Sequence, residues 1–150
     1  MFNKVIVPVD LAEMKLAKCA VQEAVSVVQP GASLRLIYVR SLVPISFMEF
    51  APANFDAEQQ KDAEEKLTSF AAGLEYPSDR ISTVVRMGGI YPEILAEAET
   101  FGADLIIIGS HRPGMSTYFL GSNASQIVRH AECSVLVIRN QAMMQAEKAD

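Results

Sequence analysis

The sequence predicts one α/β domain built as a doubly wound parallel sheet with helices on both faces. Three observations carry that expectation: short, near-continuous apolar runs, amphipathic stretches of helical spacing, and a regular alternation of the two. A run that is apolar on both sides suits a parallel strand covered from above and below, whereas a half-exposed strand alternates. Strands separated by helices pair in parallel through right-handed crossovers, which places helices on both sides of a five-stranded sheet.

Val5-Ile6-Val7 is the first such run. Ala12 to Val28 follows with Leu16, Ala20, Ala24 and Val27 at three- and four-residue spacing, a helix that Pro30-Gly31 ends. The second strand is Leu34 to Val39. Arg40 to Asn54 is then the one long connection, holding Pro44, Pro52 and the exposed-looking Phe47, Met48 and Phe50. Loops of that length are usually functional or mobile. Asp56 to Ala72 predicts a helix with Ala63, Leu67, Phe70 and Ala71 inward and its acidic and lysine residues outward. The more polar Ile81 to Arg86 is the third strand, and Gly88-Gly89 makes the turn after it. Pro92 to Phe101 carries Ile94, Leu95 and Ala98 inward, with Gly102 as its C-terminal stop. Leu105 to Ile108 and Val135 to Ile138 are the last two strands. Between them Ser122 to His130 makes a short helix, whose final residue meets the negative end of the helix dipole. The domain is assigned to residues 1–140, and 141–150 reads as a polar tail, expected to be disordered.

The chain has 150 residues, enough for one well-buried core. No apolar stretch approaches the roughly 20 residues that cross a bilayer, and no charged segment followed by an apolar one opens the sequence. A cytoplasmic protein is expected. The net charge of −5 argues against a nucleic-acid binder, which needs clustered cations to neutralise phosphates. An anionic ligand must therefore be held locally. Cys19 and Cys133 match no metal-ligand spacing and read as buried, reduced thiols.

Ligands of open parallel sheets sit beyond the carboxyl ends of the strands, where the winding reverses. With the first strand central, that crevice lies between strands one and four. Pro8-Val9-Asp10 leaves one strand end and the Gly-, Ser- and Thr-rich stretch from Gly109 to Asn123 leaves the other. A loop running into a helix that opens at Gly121-Ser122-Asn123 offers free N–H groups and a positive dipole end to an anion. Ser110 and Ser122 add hydroxyls and Arg112 a charge-assisted fork. Gly121-Ser122 and Asp10 are equally ordinary helix N-cap residues, so capping stands beside ligand binding for each. His111 stands between a phosphate partner and a solvent-exposed residue. The sequence has no G-x-x-x-x-G-K-[ST] and no G-x-G-x-x-G after the first strand, which weakens P-loop and dinucleotide-binding readings.

The opening Val7-Pro8-Val9-Asp10, and the run from Gly109 through Leu120-Gly121-Ser122-Asn123-Ala124 to Val128-Arg129-His130 and on to Val135-Leu136-Val137-Ile138-Arg139, resemble the universal stress protein family, above all its F and G subgroup. The resemblance covers Lys4 to Arg139. It implies the adenine nucleotide alpha hydrolase-like fold, with strand order 3-2-1-4-5. It also implies ATP or another adenine nucleotide as ligand, with Mg²⁺ as a companion ion, and a homodimer formed through the strand Val135 to Ile138. Nucleotide-binding members carry G-x2-G-x9-G-[ST]; here Gly109 and Gly121-Ser122 match, Arg112 replaces the middle glycine, and the following stretch is one residue shorter. By the same resemblance the main chain of Val39 meets the adenine edge, and Pro8, Val9 and Asp10 flank adenine and ribose. Ser110, His111 and Arg112 follow the phosphates on one side, and Gly121, Ser122, Asn123 and Ala124 on the other. With no second carboxylate evident near Asp10, a regulatory binding module in the stress response is expected ahead of a slow ATP hydrolase or a nucleotide-free scaffold.

Overall fold

The computed structural model describes residues 1–109 and 121–139, so the expected tail at 141–150 lies outside it. Strands β1 (Lys4–Pro8), β2 (Ser33–Arg40), β3 (Ile81–Met87), β4 (Leu105–Gly109) and β5 (Ser134–Ile138) form one sheet in the order β3-β2-β1-β4-β5. Every pairing is parallel. Helices α1 (Met14–Val27), α3 (Phe55–Ala72), α4 (Ile90–Phe101) and α5 (Ser122–His130) supply the crossovers, and a single turn, α2 (Ile45–Met48), interrupts the long connection.

Side chains of successive strand residues point to opposite faces, and the core divides accordingly. Val5, Val7, Leu34, Leu36, Leu105 and Ile107 pack with Ala17 and Val21 of α1 and Leu67 of α3. Ile6, Ile37, Ile106 and Ile108 face the other way, against Ile94 and Ala98 of α4 and Ala124 and Ile127 of α5. The apolar runs are continuous because both faces are covered. β3 lies at the sheet edge and its residues are at most half-buried, which explains its polar sequence.

Several expectations need correction. The first helix starts at Met14, not Ala12, because Asp10 to Glu13 forms a turn in which the Glu13 N–H donates to the Asp10 carbonyl at 3.1 Å. Its core face is Ala17, Val21 and Ala24, while Val27 is exposed. Cys19 and Cys133 are free and half-buried, not buried, and burial pushes the Cys133 thiol up from its ordinary pKa. Gly102 does end α4, in the left-handed conformation at φ 71°.

The expected apolar face of α4 also contains a carboxylate. Glu97 is only 3% exposed. It accepts from Arg35 Nη1 at 2.8 Å and Arg86 Nη1 at 2.7 Å. Arg86 Nε donates to Glu93 at 2.6 Å, and Arg35 Nε donates to Ser82 Oγ at 3.0 Å while its guanidinium lies 4.1 Å from the Phe101 ring centre. Hydrogen bonds to Glu93 and then Glu97 hold the Arg86 pKa above its ordinary value. The cluster joins α4 to β2 and β3, where the apolar core thins toward the edge.

Removing the shared acceptor leaves Arg35 without its carboxylate partner and Arg86 with Glu93 alone. Glu97→Ala is therefore expected to lower stability by roughly 2–4 kcal/mol, the lower part of the range reflecting the partial exposure of both arginines. Urea unfolding measures it. A loss below about 1 kcal/mol would mean that water already screens the cluster.

Candidate functional site

The β1–β2 ladder runs to Pro8, paired with Ile37, whereas the β1–β4 ladder is in register only at Val5 and Ile6. The two central strands therefore part before their carboxyl ends, and a cavity of about 400 Å³ opens there. The expected switch-point crevice is thus present.

The cavity is built in layers. Ile37, Ile94, Ile108 and Ile127 give it an apolar floor, and Leu16, Ala17 and Ala20 of α1 give it an apolar wall. Pro8, Val9 and Asp10 leave β1 along one side, while Tyr38, Val39 and Ser41 leave β2 along the next. Gly109, at the end of β4, and Gly121, Ser122, Asn123 and Ala124, at the start of α5, close the remaining side. Nine of the twelve residues expected from the sequence thus line one cavity; Ser110, His111 and Arg112 lie outside the described residues.

Asp10 is not the N-cap of α1; that position is Glu13. The Ala12 N–H donates to Asp10 Oδ1 at 2.9 Å, a local turn that fixes the carboxylate at the cavity mouth. At α5 the N-cap is Gly121, and no side chain caps it. Its first backbone bond runs from Ser125 N–H to the Gly121 carbonyl at 2.9 Å, so the amides of Ser122, Asn123 and Ala124 precede the helical ladder. Those amides and the dipole make this end of the cavity suited to an anion. Away from α5 the lining is mostly apolar, from Leu16, Ala17, Ala20 and Ile37, with Tyr38, Val39 and Ser41 of the β2 end beside it.

Glu13, Ser41 and Ile90 also line the cavity and are not among the residues expected from the sequence. Glu13 corrects the expectation of a solitary carboxylate, since it shares the cavity with Asp10. Leu16 and Ala20, expected to face the core, face the cavity instead. The face α1 buries runs through Ala17, Val21 and Ala24, so of the expected stripe only Ala24 belongs to it. Ile90, the first residue of α4, lines the cavity, although neither glycine of the preceding Gly88-Gly89 turn does. Gly88 adopts φ 144° and donates its N–H to the Arg40 carbonyl at 2.9 Å. His130 does not line the cavity, and its ring stacks near Tyr91 with the centres 6.4 Å apart.

A model of the universal stress protein family matches residues 1–139. The chain belongs to the universal stress protein family. It is similar to universal stress protein G of Escherichia coli O157:H7, with 37% identity over 142 residues that cover 93% of this chain and 100% of the relative. Among solved structures it resembles the universal stress protein UspA from Lactobacillus plantarum, at 28% identity and a TM-score of 0.67, covering 91% of this chain and 97% of that one. A universal stress protein family member from Arabidopsis thaliana with AMP bound shares the fold at a TM-score of 0.62 and 18% identity, covering 99% of both chains. Among the described residues of this universal stress protein, no helix is long and apolar enough to cross a membrane.

Two glycines at the site's borders should behave oppositely. A Cβ at Gly88 would stand 2.9 Å from Glu93 Oε1 at a left-handed φ, whereas a Cβ at Gly121 meets nothing within 4 Å. Gly88→Ala is expected to cost roughly 1–3 kcal/mol. Gly121→Ser should stay within about 0.5 kcal/mol of the natural chain, because serine is a good N-cap. Thermal unfolding of both variants checks the contrast.

Proposed function

We propose that this cavity binds an adenine nucleotide, ATP foremost, and that the chain is a cytoplasmic stress-response module whose liganded and free states engage different partners. The observation that carries this reading is the polarity of the cavity: isoleucines and alanines line one part of it, and the uncapped start of α5 lies at another. A flat, weakly polar base suits the first, and phosphates suit the second. The AMP-bound relative of the same fold supports the ligand class.

In this reading the main chain of Val39 meets the adenine edge, Pro8 and Val9 flank the base, and the Asp10 carboxylate accepts from a ribose hydroxyl. Gly109, Gly121, Ser122, Asn123 and Ala124 follow the phosphates with their backbone, and Ser110, His111 and Arg112 complete that side. Among the described residues no group of three or more potential ligands forms a dedicated metal centre. Asp10 and Glu13 are hard oxygen donors of the kind that hold Mg²⁺ through its water shell, so an ion of this type would arrive with the phosphates. Its chemistry there is charge neutralisation.

Calorimetry with ATP, AMP and adenosine tests the reading. ATP is expected to bind more tightly than adenosine, and Arg112→Ala to weaken ATP by about tenfold or more while sparing adenosine, the loss of one charge-assisted contact. Gly121→Val should abolish ATP binding without unfolding the chain. Equal weakening of both ligands by Arg112→Ala would remove that residue from the phosphates. ATP turnover on the order of 1 s⁻¹ would replace the binding module with an enzyme.

The module is proposed to work as a homodimer through β5. That strand pairs with β4 alone among the described strands, and Leu136 is exposed, so an apolar edge is presented to a second copy. An isologous, antiparallel pairing of the two β5 strands closes it. Sedimentation should give the dimer mass; a monomer at tens of micromolar rejects this assembly and leaves the nucleotide site standing.

A further inference from the structure

Among the described residues, twelve large apolar side chains are exposed, and five of these, Leu42, Ile45, Phe47, Met48 and Phe50, fall within nine consecutive positions between β2 and α3. Ile45 is 82% and Phe50 88% exposed. Scattered apolar residues on a surface need no explanation, but a concentration of this kind marks a contact surface.

The segment is also held in shape. Its first residues follow Arg40, whose buried side chain donates to Gln60 Oε1 and Asp56 Oδ1, each at 2.8 Å. Ile45–Met48 forms the single turn α2, and the rings of Phe47 and Phe55 meet at 5.3 Å between centres. The apolar side chains are thus presented from a connection tied at its base to α3.

Charge decides what suits it. Between Ser41 and Gln60 there is no lysine, arginine or histidine, and there are three carboxylates, Glu49, Asp56 and Glu58. Asp56 is neutralised by Arg40, while Glu58 accepts from the uncharged Asn54 amide at 2.8 Å and forms no ion pair among the described residues. An apolar patch bordered by negative charge complements an apolar segment bordered by positive charge. The same charge repels anionic lipid. We propose that the 42–50 segment is a docking surface for another protein, which it recognises through an amphipathic segment with leucine or phenylalanine on one face and flanking lysines or arginines. None of the five apolar residues lines the cavity, although Ser41, directly before Leu42, does, and the proposal does not depend on the nucleotide assignment.

The probe is a short, fluorescently labelled amphipathic helical peptide with leucines at i, i+3, i+4 and i+7 and lysine flanks, compared with the same peptide carrying glutamate flanks. Fluorescence anisotropy is read against the full chain and against the double variant Ile45→Ser, Phe50→Ser. The lysine peptide is expected to bind at least about tenfold more tightly than the glutamate peptide, and to weaken as salt is raised. The double variant should lose about tenfold or more of that affinity. Its unfolding temperature should be unchanged, since both side chains are exposed. Equal binding of the two peptides overturns the proposal, as does unaltered binding by the variant. A smaller sedimenting species for the variant would give the surface to a second copy of the chain, and loss of adsorption to neutral lipid vesicles would give it to a membrane; either result rejects a basic protein partner.

Discussion

The central position of β1 is the constraint on which the rest of the structure depends. A strand paired in parallel on both sides forces the chain to wind one way through β2 and β3 and the other way through β4 and β5. The helices that follow β1 and β4, α1 and α5, pack on opposite faces of the sheet. Because those two strands pair over only two residues while β1 and β2 pair over five, the gap widens into the cavity. Asp10 and Gly121, far apart in sequence, reach one space by this topology alone.

Packing and electrostatics divide the work across the sheet. Around β1, β4 and the inner half of β2, burial of branched aliphatic side chains is enough, and residues such as Ile6 and Ile106 are fully enclosed. Toward β3 the apolar cover runs out, and α4 is attached instead through Glu97, Arg35 and Arg86. The buried carboxylate is tolerated because it has two guanidinium partners in hydrogen-bonding geometry. Glu93 and Glu97 therefore attach α4 through charge, while Ile90 and Ile94 of the same helix form part of the cavity.

The five strands and four main helices were legible because buried parallel strands and amphipathic helices leave distinct periods in the sequence, and α5 in particular runs from Ser122 to His130 as its spacing implies. Helix faces were less legible. Leu16, Ala20 and Val27 have the right spacing for a core face, but the face α1 buries is rotated from theirs, and only the position of the neighbouring strands sets that rotation. Glu97 carries no local sign of burial, because its partners Arg35 and Arg86 are brought beside it only by the fold. At the cavity, Asp10 and Gly121 announce themselves through their junctions, whereas Glu13, Ser41 and Ile90 carry no local signature and enter only because a turn or a strand end points them inward.

The long separation between β1 and β4 bears on how the chain is made. The Asn3 and Lys4 amides donate to the Asp104 carboxylate at 2.8 and 3.0 Å, across about a hundred residues of sequence. During synthesis β1, β2 and β3 emerge first and can pair, but the other edge of β1 stays bare until β4 has left the ribosome. At the usual pace of translation that interval is on the order of seconds. For that time the nascent chain presents one unpaired edge of β1, so a strand whose Val5, Ile6 and Val7 are buried in the finished protein is open to wrong pairing at birth.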